Sequence, residues 1–287
     1  MLRFLPNRNP DLTEWMDRPD ADPELLSNTY RQFSVINRLL SGWKTIYQRE
    51  IRPTARELNR PVRILDIGCG GGDILFALHQ MCKKDGIVAE LTGIDPDKRS
   101  IDFASGRVSD GAIRFFHQTA SEHAFEQASE LATELANSGE RYDYVISNHL
   151  LHHLQDEEVR KLASDACDLA LHQVIFNDIS RSAIGYLLFQ VTTPLLFRRS
   201  FISKDGLISI RRSFTRDELA QLLGEKWSVR PMVPFRLLAV YSRKGETRQD
   251  SLHTGGTTRA TIGETTPATT GETAPATTGQ TTGGTIP

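Results

Sequence analysis

An acidic residue and a glycine-rich turn form the first candidate binding site. In the segment ILDIGCGGGDI (64–74) an apolar run ends at Asp66, and Gly68, Cys69 and Gly70 follow before a second apolar run begins. A strand, a glycine turn and a helix amino terminus in this order let a ligand approach the backbone closely. Asp66 would repel a pyrophosphate but suits an ammonium group, so the turn predicts a cation-bearing ligand.

A second acidic residue ends the next apolar run. The segment LTGIDPDKRSIDFA (91–104) places Asp95 and Pro96 where a second strand of the same sheet would end. A carboxylate at that position can accept hydrogen bonds from both hydroxyls of a ribose. Asp66 and Asp95 together predict a nucleoside-binding site, and the pair is far more specific than either motif alone.

Three histidines cluster in the segment YDYVISNHLLHHL (142–154). Histidine titrates near neutral pH, so His152 or His153 is a candidate general base that accepts a proton from a phenol or an enol. A metal site would be the alternative, with His149, His152, His153 and Asp178 as ligands. We predict no metal.

Another polar pair follows the fifth predicted strand. The segment FNDISRS (176–182) places Asp178 and Arg181 at the carboxyl edge of the sheet, where doubly wound folds bind ligands. Both are therefore candidate catalytic residues, although Asp178 could instead cap the following helix. The apolar insert 183–212 is predicted to form a lid over an apolar substrate, with core packing as the alternative.

The elements that must position these residues alternate between β-rich runs and helical segments, which is typical of a parallel sheet with helices on both faces. The predicted fold class is α/β, a doubly wound, Rossmann-like sheet of seven mostly parallel strands whose last strand is antiparallel. The predicted strands are 62–67, 90–94, 113–116, 142–147, 174–177, 227–231 and 235–242. The predicted helices of this domain are 73–83, 97–108, 124–137, 156–169, 184–197 and 215–223.

Composition divides the chain into three parts. Residues 1–59 are predicted to form an extended lead-in and a helical cap, because apolar residues recur at helical spacing between residues 25 and 47. Residues 60–244 contain the nucleoside-binding motifs. Residues 245–287 repeat threonine, glycine, alanine and proline, and they are predicted to be disordered because they have few apolar groups to bury.

Charge and cysteine content exclude several classes of protein. The chain has 34 basic and 36 acidic residues, so its net charge of -2 gives no general attraction to nucleic acid. Three cysteines without metal-ligand spacing and a poor signal peptide predict reduced thiols and a cytoplasmic location. The most apolar stretch, 183–197, is too short to span a bilayer, so stable membrane insertion is not expected.

The two acidic motifs resemble those of class I S-adenosylmethionine-dependent methyltransferases, over roughly residues 60–180. The resemblance implies S-adenosylmethionine as the cofactor, with its methionine part near the glycine turn and its ribose on Asp95. The family usually has a third acid that contacts adenine, whereas this chain has Thr119 there. The implied cofactor residues are Asp66, Gly68, Cys69, Gly70, Asp95, Pro96, Thr119, Ala120, Asn148 and His149.

The resemblance also implies a reaction, the methylation of oxygen or carbon on a small, largely apolar acceptor. Outside the cofactor motifs it points to bacterial methyltransferases of quinone and polyketide-like metabolism, so an aromatic acceptor is expected and nucleic acid is not. Two alternatives stay open: a regulatory subunit that binds the cofactor without catalysis, and methylation of protein or nucleic acid. For His152 and His153 the family offers a second interpretation, because many members carry a similar run packed beneath the cofactor.

Overall fold

The computed structural model describes residues 5, 7–108, 111–117 and 141–243. The strands in these ranges are β1 (Val62–Ile67), β2 (Ala89–Asp95), β3 (Ile113–His117), β4 (Tyr142–Asn148), β5 (Ala170–Ile179), β6 (Trp227–Met232) and β7 (Arg236–Ser242). They form one sheet in the order β3-β2-β1-β4-β5-β7-β6. Strands β1 to β5 pair in parallel, and β7 lies antiparallel between β5 and β6. The predicted fold class and the antiparallel hairpin at the sheet edge are confirmed.

The helices of the described residues lie before the sheet and between its strands. They are α1 (Pro23–Leu40), α2 (Trp43–Ile46), α3 (Arg52–Ala55), α4 (Asp73–Lys84), α5 (Lys98–Ser105), α6 (Asp156–Leu169), α7 (Ala183–Leu196), α8 (Ile202–Arg212) and α9 (Arg216–Leu223). A π-helical turn (Tyr47–Ile51) joins α2 to α3, and a 3-10 turn (Leu151–His153) follows β4. None of the helices in the described part of the chain combines the length and apolar character that crossing a bilayer requires.

Alternation along the strands produces two apolar cores, one on each face of the sheet. In β1, Leu65 and Ile67 belong to the core that contains α6, whereas Val62 and Ile64 belong to the core that contains α4. Side chains of a strand alternate between faces, so a strand that is buried throughout serves both cores. In β1 the apolar residues on both faces are buried, whereas Arg63 is half-buried.

The helix α8 was not predicted from the sequence. Residues 203–215 carry Gly206 in a run that includes β-branched residues, which gives a weak helical signal, yet Ile202–Arg212 forms α8. Gly206 is required for packing, because a Cβ atom there would lie 2.2 Å from the ring of Phe189 on α7. The predicted helix 124–137 and the tail 245–287 lie outside the described residues.

The lead-in is extended but is held firmly against α8. Residues 7–22 contain no helix or strand. The backbone N–H groups of Trp15 and Met16 donate to the carboxylate of Asp205 at 2.8 and 3.0 Å, and Asn9 N donates to the carbonyl of Arg211 at 3.0 Å. These bonds fix a segment that local propensity alone would leave without structure.

Candidate active site

A cavity of about 570 Å³ lies at the carboxyl edge of the sheet, beside the ends of β1 and β4. The strand order changes direction between these two strands, which is where doubly wound folds bind ligands. The volume is typical of small-molecule sites. The predicted cofactor residues within the described ranges all line this cavity, namely Asp66, Gly68, Cys69, Gly70, Asp95, Pro96, Asn148 and His149. Thr119 and Ala120 lie outside the described residues, and His117 at the end of β3 lines the cavity nearby.

Asp66 carries a buried carboxylate without a partner in the described structure. The residue is 1% exposed, and neither of its oxygens has a hydrogen-bond partner among the described residues. Burial, followed by the nearby charges of Asp95 and Asp73, raises the pKa of Asp66 well above its ordinary value. A buried carboxylate needs a donor, and a ligand ammonium group would supply one. The site therefore fits a cofactor with an amino-acid end.

The glycine turn gives such a ligand access to the backbone. Gly68 and Gly70 have φ angles of 71° and 52°, in the left-handed region that favours glycine. A Cβ atom on Gly68 would lie 3.0 Å from the side chain of Leu150, whereas one on Gly70 would meet nothing within 4 Å. The left-handed backbone conformation therefore accounts for glycine at both positions. At Gly70 the absence of a side chain also leaves open space on the cavity side.

Asp95 links the glycine turn to β2. Its Oδ2 accepts a hydrogen bond from Gly70 N at 2.8 Å, and its Oδ1 accepts from Asp97 N at 2.9 Å and Ser100 Oγ at 2.8 Å. Burial raises the pKa of Asp95 despite these donors. A carboxylate offers about four acceptor positions, so Oδ2, with one protein donor among the described residues, has room for a ribose hydroxyl. Binding of both ribose hydroxyls by Asp95 stays a prediction.

Replacing Asp95 should therefore weaken cofactor binding through two losses. Asp95→Ala removes the acceptor for ribose and releases Gly70 N, so we expect S-adenosylmethionine affinity to fall about ten- to hundredfold. Isothermal titration calorimetry of the purified chain measures the change. Asp102→Ala is the control, because Asp102 is an exposed acid on α5 paired with Lys98. Equal affinities for the Asp95 variant and wild type would remove Asp95 from the site.

Asn148 and His149 are held by a buried arginine that the sequence did not indicate. Arg236 on β7 donates to Asn148 Oδ1 at 3.0 Å and to Asn177 Oδ1 at 2.9 Å, and it faces Nε2 of His149. Burial and the charge of Arg236 lower the pKa of His149 well below its ordinary value. His149 is therefore a neutral acceptor for Arg236 and forms part of the cavity wall. Trp43 Nε1 donates to the same Asn148 oxygen at 3.0 Å.

His152 lies between two carboxylates. Its Nδ1 is 2.7 Å from Asp178 Oδ1, its backbone N donates to Asp178 Oδ2 at 2.9 Å, and its Nε2 is 3.5 Å from Glu14 Oε1. Burial disfavours the charged ring, but Asp178 and Glu14 outweigh it and raise the pKa of His152 to about 9. The ring is thus an imidazolium at neutral pH.

Glu14 is a site residue that the sequence did not reveal, because it comes from the lead-in. Ser209 Oγ on α8 donates to Glu14 Oε1 at 2.6 Å, and His153 Nε2 lies 3.8 Å from the same oxygen. Burial favours the neutral acid, yet His153 and His152 lower the pKa of Glu14 to about 2. The lead-in therefore places a carboxylate beside the histidine turn.

The alternative metal site is not assembled from the four residues considered for it. Asp178 hydrogen-bonds His152 on Nδ1, away from Glu14, and Nε2 of His149 faces Arg236. Glu14, His152 and His153 do bring one ligand atom each within 4.8 Å of one another. The absence of a metal stays a prediction.

Asp178 and Arg181 lie outside the cavity lining. Asp178 forms a hydrogen bond with His152 and does not cap α7. The residue at the amino-terminal cap of α7 is Ser182, whose Oγ accepts a hydrogen bond from Gly185 N at 3.2 Å. Arg181 is buried, with Nη1 donating to Glu218 Oε2 at 2.8 Å and to the carbonyl of Ser213 at 2.9 Å. The sequence placed both residues on the substrate side. The structure instead places them behind it, where Arg181 joins β5 to α9.

Arg181→Ala should thus act on stability and spare cofactor binding. The variant removes the Arg181 donor from the Ser213 carbonyl and leaves the Glu218 carboxylate with Thr215 N, which donates to Oε2 at 2.8 Å, so we expect a loss of about 1–3 kcal/mol. Chemical denaturation followed by circular dichroism measures this loss, and calorimetry should return the wild-type affinity for S-adenosylmethionine. A large loss of affinity at unchanged stability would contradict the assignment.

Two further arginines fix the carbonyl groups of the histidine turn. Arg212 donates through Nε to the carbonyl of His152 at 3.1 Å and through Nη2 to that of His153 at 2.8 Å. Arg8 of the lead-in donates to the carbonyl of Leu154 and, at 2.9 Å, to Asp156. Arg212 is the second residue of the Arg-Arg pair that ends α8, and it binds backbone here.

The sheet order, the acid-glycine turn and the unpartnered Asp66 carboxylate define a class I S-adenosylmethionine-dependent methyltransferase fold with its cofactor site. Residues 42–227 match the family described as "Methyltransferase domain", and the chain belongs to that family. S-adenosylmethionine is its cofactor.

Relatives and a solved structure agree with this assignment. The ubiquinone biosynthesis O-methyltransferase of Azorhizobium caulinodans is 31% identical over 108 residues, which are 38% of this chain and 34% of that protein. The enzyme of the same name from Rhizobium leguminosarum bv. trifolii is 34% identical over 97 residues, 34% and 32% of the two chains. The chain thus matches about a third of the length of these curated relatives. The plantazolicin methyltransferase BpumL in complex with SAH shares the fold, with a TM-score of 0.52 and 19% identity over 80% of this chain and 93% of that one.

Proposed function

We propose that the protein methylates an oxygen or carbon atom of a small, largely apolar acceptor with a phenolic or enolic hydroxyl on a quinone- or polyketide-like ring. One observation carries the proposal. A single cavity joins the cofactor wall around Asp66 and Asp95 to His152, whose ring is held by a carboxylate on each side. Binding without catalysis would not require such a histidine.

The chain's own residues divide into a cofactor group and an acceptor group. Asp66 accepts the ammonium hydrogen bonds, the turn at Gly68 and Gly70 admits the amino-acid end, and Asp95 accepts from the ribose. Bound there, the cofactor supplies an electrophilic methyl group on a good leaving group. The protein contributes positioning and exclusion of water.

His152 is the residue that we assign to the proton of the acceptor hydroxyl. The pKa of His152, about 9, is close to that of a phenol, about 10, so proton transfer between them is nearly balanced. Asp178 holds Nδ1 and leaves Nε2 on the side of Glu14 and the cavity. An acceptor hydroxyl would take the position beside Nε2 that Glu14 now faces.

The rest of the lining suits an apolar acceptor. Apolar side chains come from the lead-in, α1, α7 and α8, namely Met16, Phe33, Ile36, Phe189 and Ile202. The insert 183–212 thereby supplies one wall, consistent with its proposed role as a cover. We place the reaction in the cytoplasm, where the free thiols of Cys69, Cys82 and Cys167 stay reduced.

A transfer assay with labelled cofactor tests the proposal. The full chain is incubated with S-adenosylmethionine labelled in its methyl group and, separately, with an alkylated hydroxyquinone, an alkylresorcinol, a peptide mixture and transfer RNA. Mass spectrometry should find the label on the first two acceptors. Label on peptide or RNA, or saturable cofactor binding with no transfer to either ring compound, would contradict the proposed acceptor.

A further inference from the structure

The outer face of α7 is apolar where a surface helix is normally polar. Exposed apolar side chains recur at helical spacing along one side of this helix, at Ile184, Leu187, Leu188, Val191 and Leu195. The helix sequence, AIGYLLFQVTTPLL, contains no charged residue. We call these five residues the α7 face. A contiguous exposed apolar surface of this kind marks an interaction site, because single scattered apolar residues are the norm elsewhere.

Packing does not require the α7 face. The helix makes its internal contacts through a different side, on which Gly185 and Thr193 are buried and Phe189 lines the cavity. Phe189 also packs against Gly206 of α8. The α7 face is therefore separated from the substrate cavity by the thickness of one helix.

The apolar surface continues onto the turn between β6 and β7. Phe235 packs against α7, since a Cβ atom on Gly185 would lie 3.0 Å from its ring. Phe235 is partly exposed, and Val233 in the same turn is almost fully exposed. Apolar surface from two separate elements thus meets at the amino-terminal end of α7.

Basic residues lie at the other end of the helix. Arg198 and Arg199 follow Phe197 at the end of α7 and are exposed, and Arg199 Nη2 pairs with the exposed Glu24 at 2.6 Å. Their carbonyl groups accept hydrogen bonds from Gln32 and Asn28 of α1 at 3.0 and 3.1 Å, which fixes this stretch beside α1. Arg31 is exposed on the same helix. An apolar helix face with arginines at its edge complements the acyl chains and anionic headgroups of a bilayer.

We propose that the α7 face docks on the surface of an anionic phospholipid bilayer, with α7 lying in the plane of the interface. A second copy of the chain is a poorer fit, because α7 carries no acidic residue that could pair with the arginine at its end, whereas an anionic headgroup can. The proposal goes beyond methyl transfer and does not depend on it. Docking would place the wall of the substrate cavity beside the lipid phase, which is the source of strongly apolar acceptors.

Vesicle sedimentation with the full chain tests the docking surface. Binding is compared between vesicles of phosphatidylcholine alone and vesicles of phosphatidylcholine with phosphatidylglycerol. Val191→Glu changes the α7 face, and Val88→Glu is a matched control because both valines are 68% exposed and Val88 lies before β2. We expect wild type and Val88→Glu to bind the anionic vesicles, and Val191→Glu to bind at least about tenfold more weakly.

Further variants separate lipid docking from the other outcomes. Leu195→Ser should also weaken binding without adding charge, and Arg198→Ala should weaken binding to anionic vesicles only. We expect wild-type circular dichroism spectra and wild-type cofactor affinities by calorimetry for each variant, which would show that the variant is folded. Because neither measurement needs a methyl acceptor, this test is independent of the proposed reaction. Failure of the wild type to bind anionic vesicles, or equal binding by Val191→Glu, overturns the proposal. The proposal is also overturned if analytical ultracentrifugation shows a dimer of the wild type, Val191→Glu dissociates that dimer, and the wild type does not bind vesicles.

Discussion

Asp66→Asn is expected to stabilise the cofactor-free protein and, at the same time, to weaken S-adenosylmethionine binding. The Asp66 carboxylate is buried without a partner, and its pKa is raised well above the ordinary value, so its ionised form costs stability at neutral pH. The neutral amide avoids that cost. It also removes the charge that pairs with the ammonium group, and we expect affinity to fall about ten- to hundredfold.

The sign of this effect follows from proton linkage. A carboxyl group whose folded pKa lies above its unfolded value binds more protons in the folded state, so its contribution to stability is lost as pH rises. The melting temperature of Asp66→Asn should therefore exceed that of wild type at pH 7, and the gap should narrow as pH falls. In a domain of this size about 1 kcal/mol corresponds to ~2–4 °C. Saturating cofactor should raise the melting temperature of wild type more than that of the variant.

Asp143→Asn is the matched control for this experiment. Asp143 is also buried, but Arg60 binds both of its oxygens at 2.6 and 2.7 Å and Arg63 N donates at 2.8 Å. It lies near the amino end of β4, at the opposite edge of the sheet from the cavity. The same substitution should therefore destabilise the protein and leave cofactor affinity unchanged. Destabilisation by Asp66→Asn as well would show that its carboxylate has a protein partner.

His152→Gln is expected to reduce kcat by about 10²–10⁴-fold once an acceptor is in hand, with little change in cofactor affinity. The proton-accepting form of His152 is lost as pH falls below its pKa of about 9. The wild-type kcat/KM should thus rise with pH up to about 9 and fall roughly tenfold per pH unit below it, whereas the variant should lack this limb. Steady-state kinetics across the pH range measures both. A similar limb in the variant would assign the proton to another group.

Asp178→Asn tests the positioning of the same ring. Removing the negative charge at Nδ1 lowers the pKa of His152, so the rising limb should move to lower pH while the plateau rate falls. If Asp178 had a purely structural role, the pH range over which the rate rises would be the same in the variant as in the wild type. His79→Gln serves as the control, because His79 lies on α4 and is not among the residues that line the cavity.

Local motifs were the part of the site that could be predicted from the sequence. Asp66, Gly68 and Gly70 lie within one strand-turn-helix segment, where short-range backbone geometry decides the arrangement, and Asp95 ends the neighbouring strand. The strands followed from apolar runs of the right length. In contrast, α8 was not predicted, because Gly206 lowers the helical propensity of that segment. Glycine is needed at this position because the ring of Phe189 on α7 packs against it.

Contacts between distant segments could not be predicted in this way. Glu14 and Ser209 are 195 positions apart, yet they share a hydrogen bond beside His152. Arg236 reaches Asn148 from a strand that enters the sheet antiparallel. Arg181 was assigned to the substrate because it follows β5, and only the position of Glu218 on α9 shows where its guanidinium goes.

The sequence by itself determined the fold class and the residues of the glycine turn, because these depend on apolar periodicity and on geometry within a few residues, while the resemblance of its two acidic motifs to a known family implied the cofactor. Tertiary structure decided the charge states. His149 and His152 are three positions apart, yet Arg236 and burial keep one neutral while Asp178 and Glu14 keep the other protonated. The free energy of a buried charge depends on which groups the whole fold brings within a few ångströms, and spacing along the chain does not encode that distance.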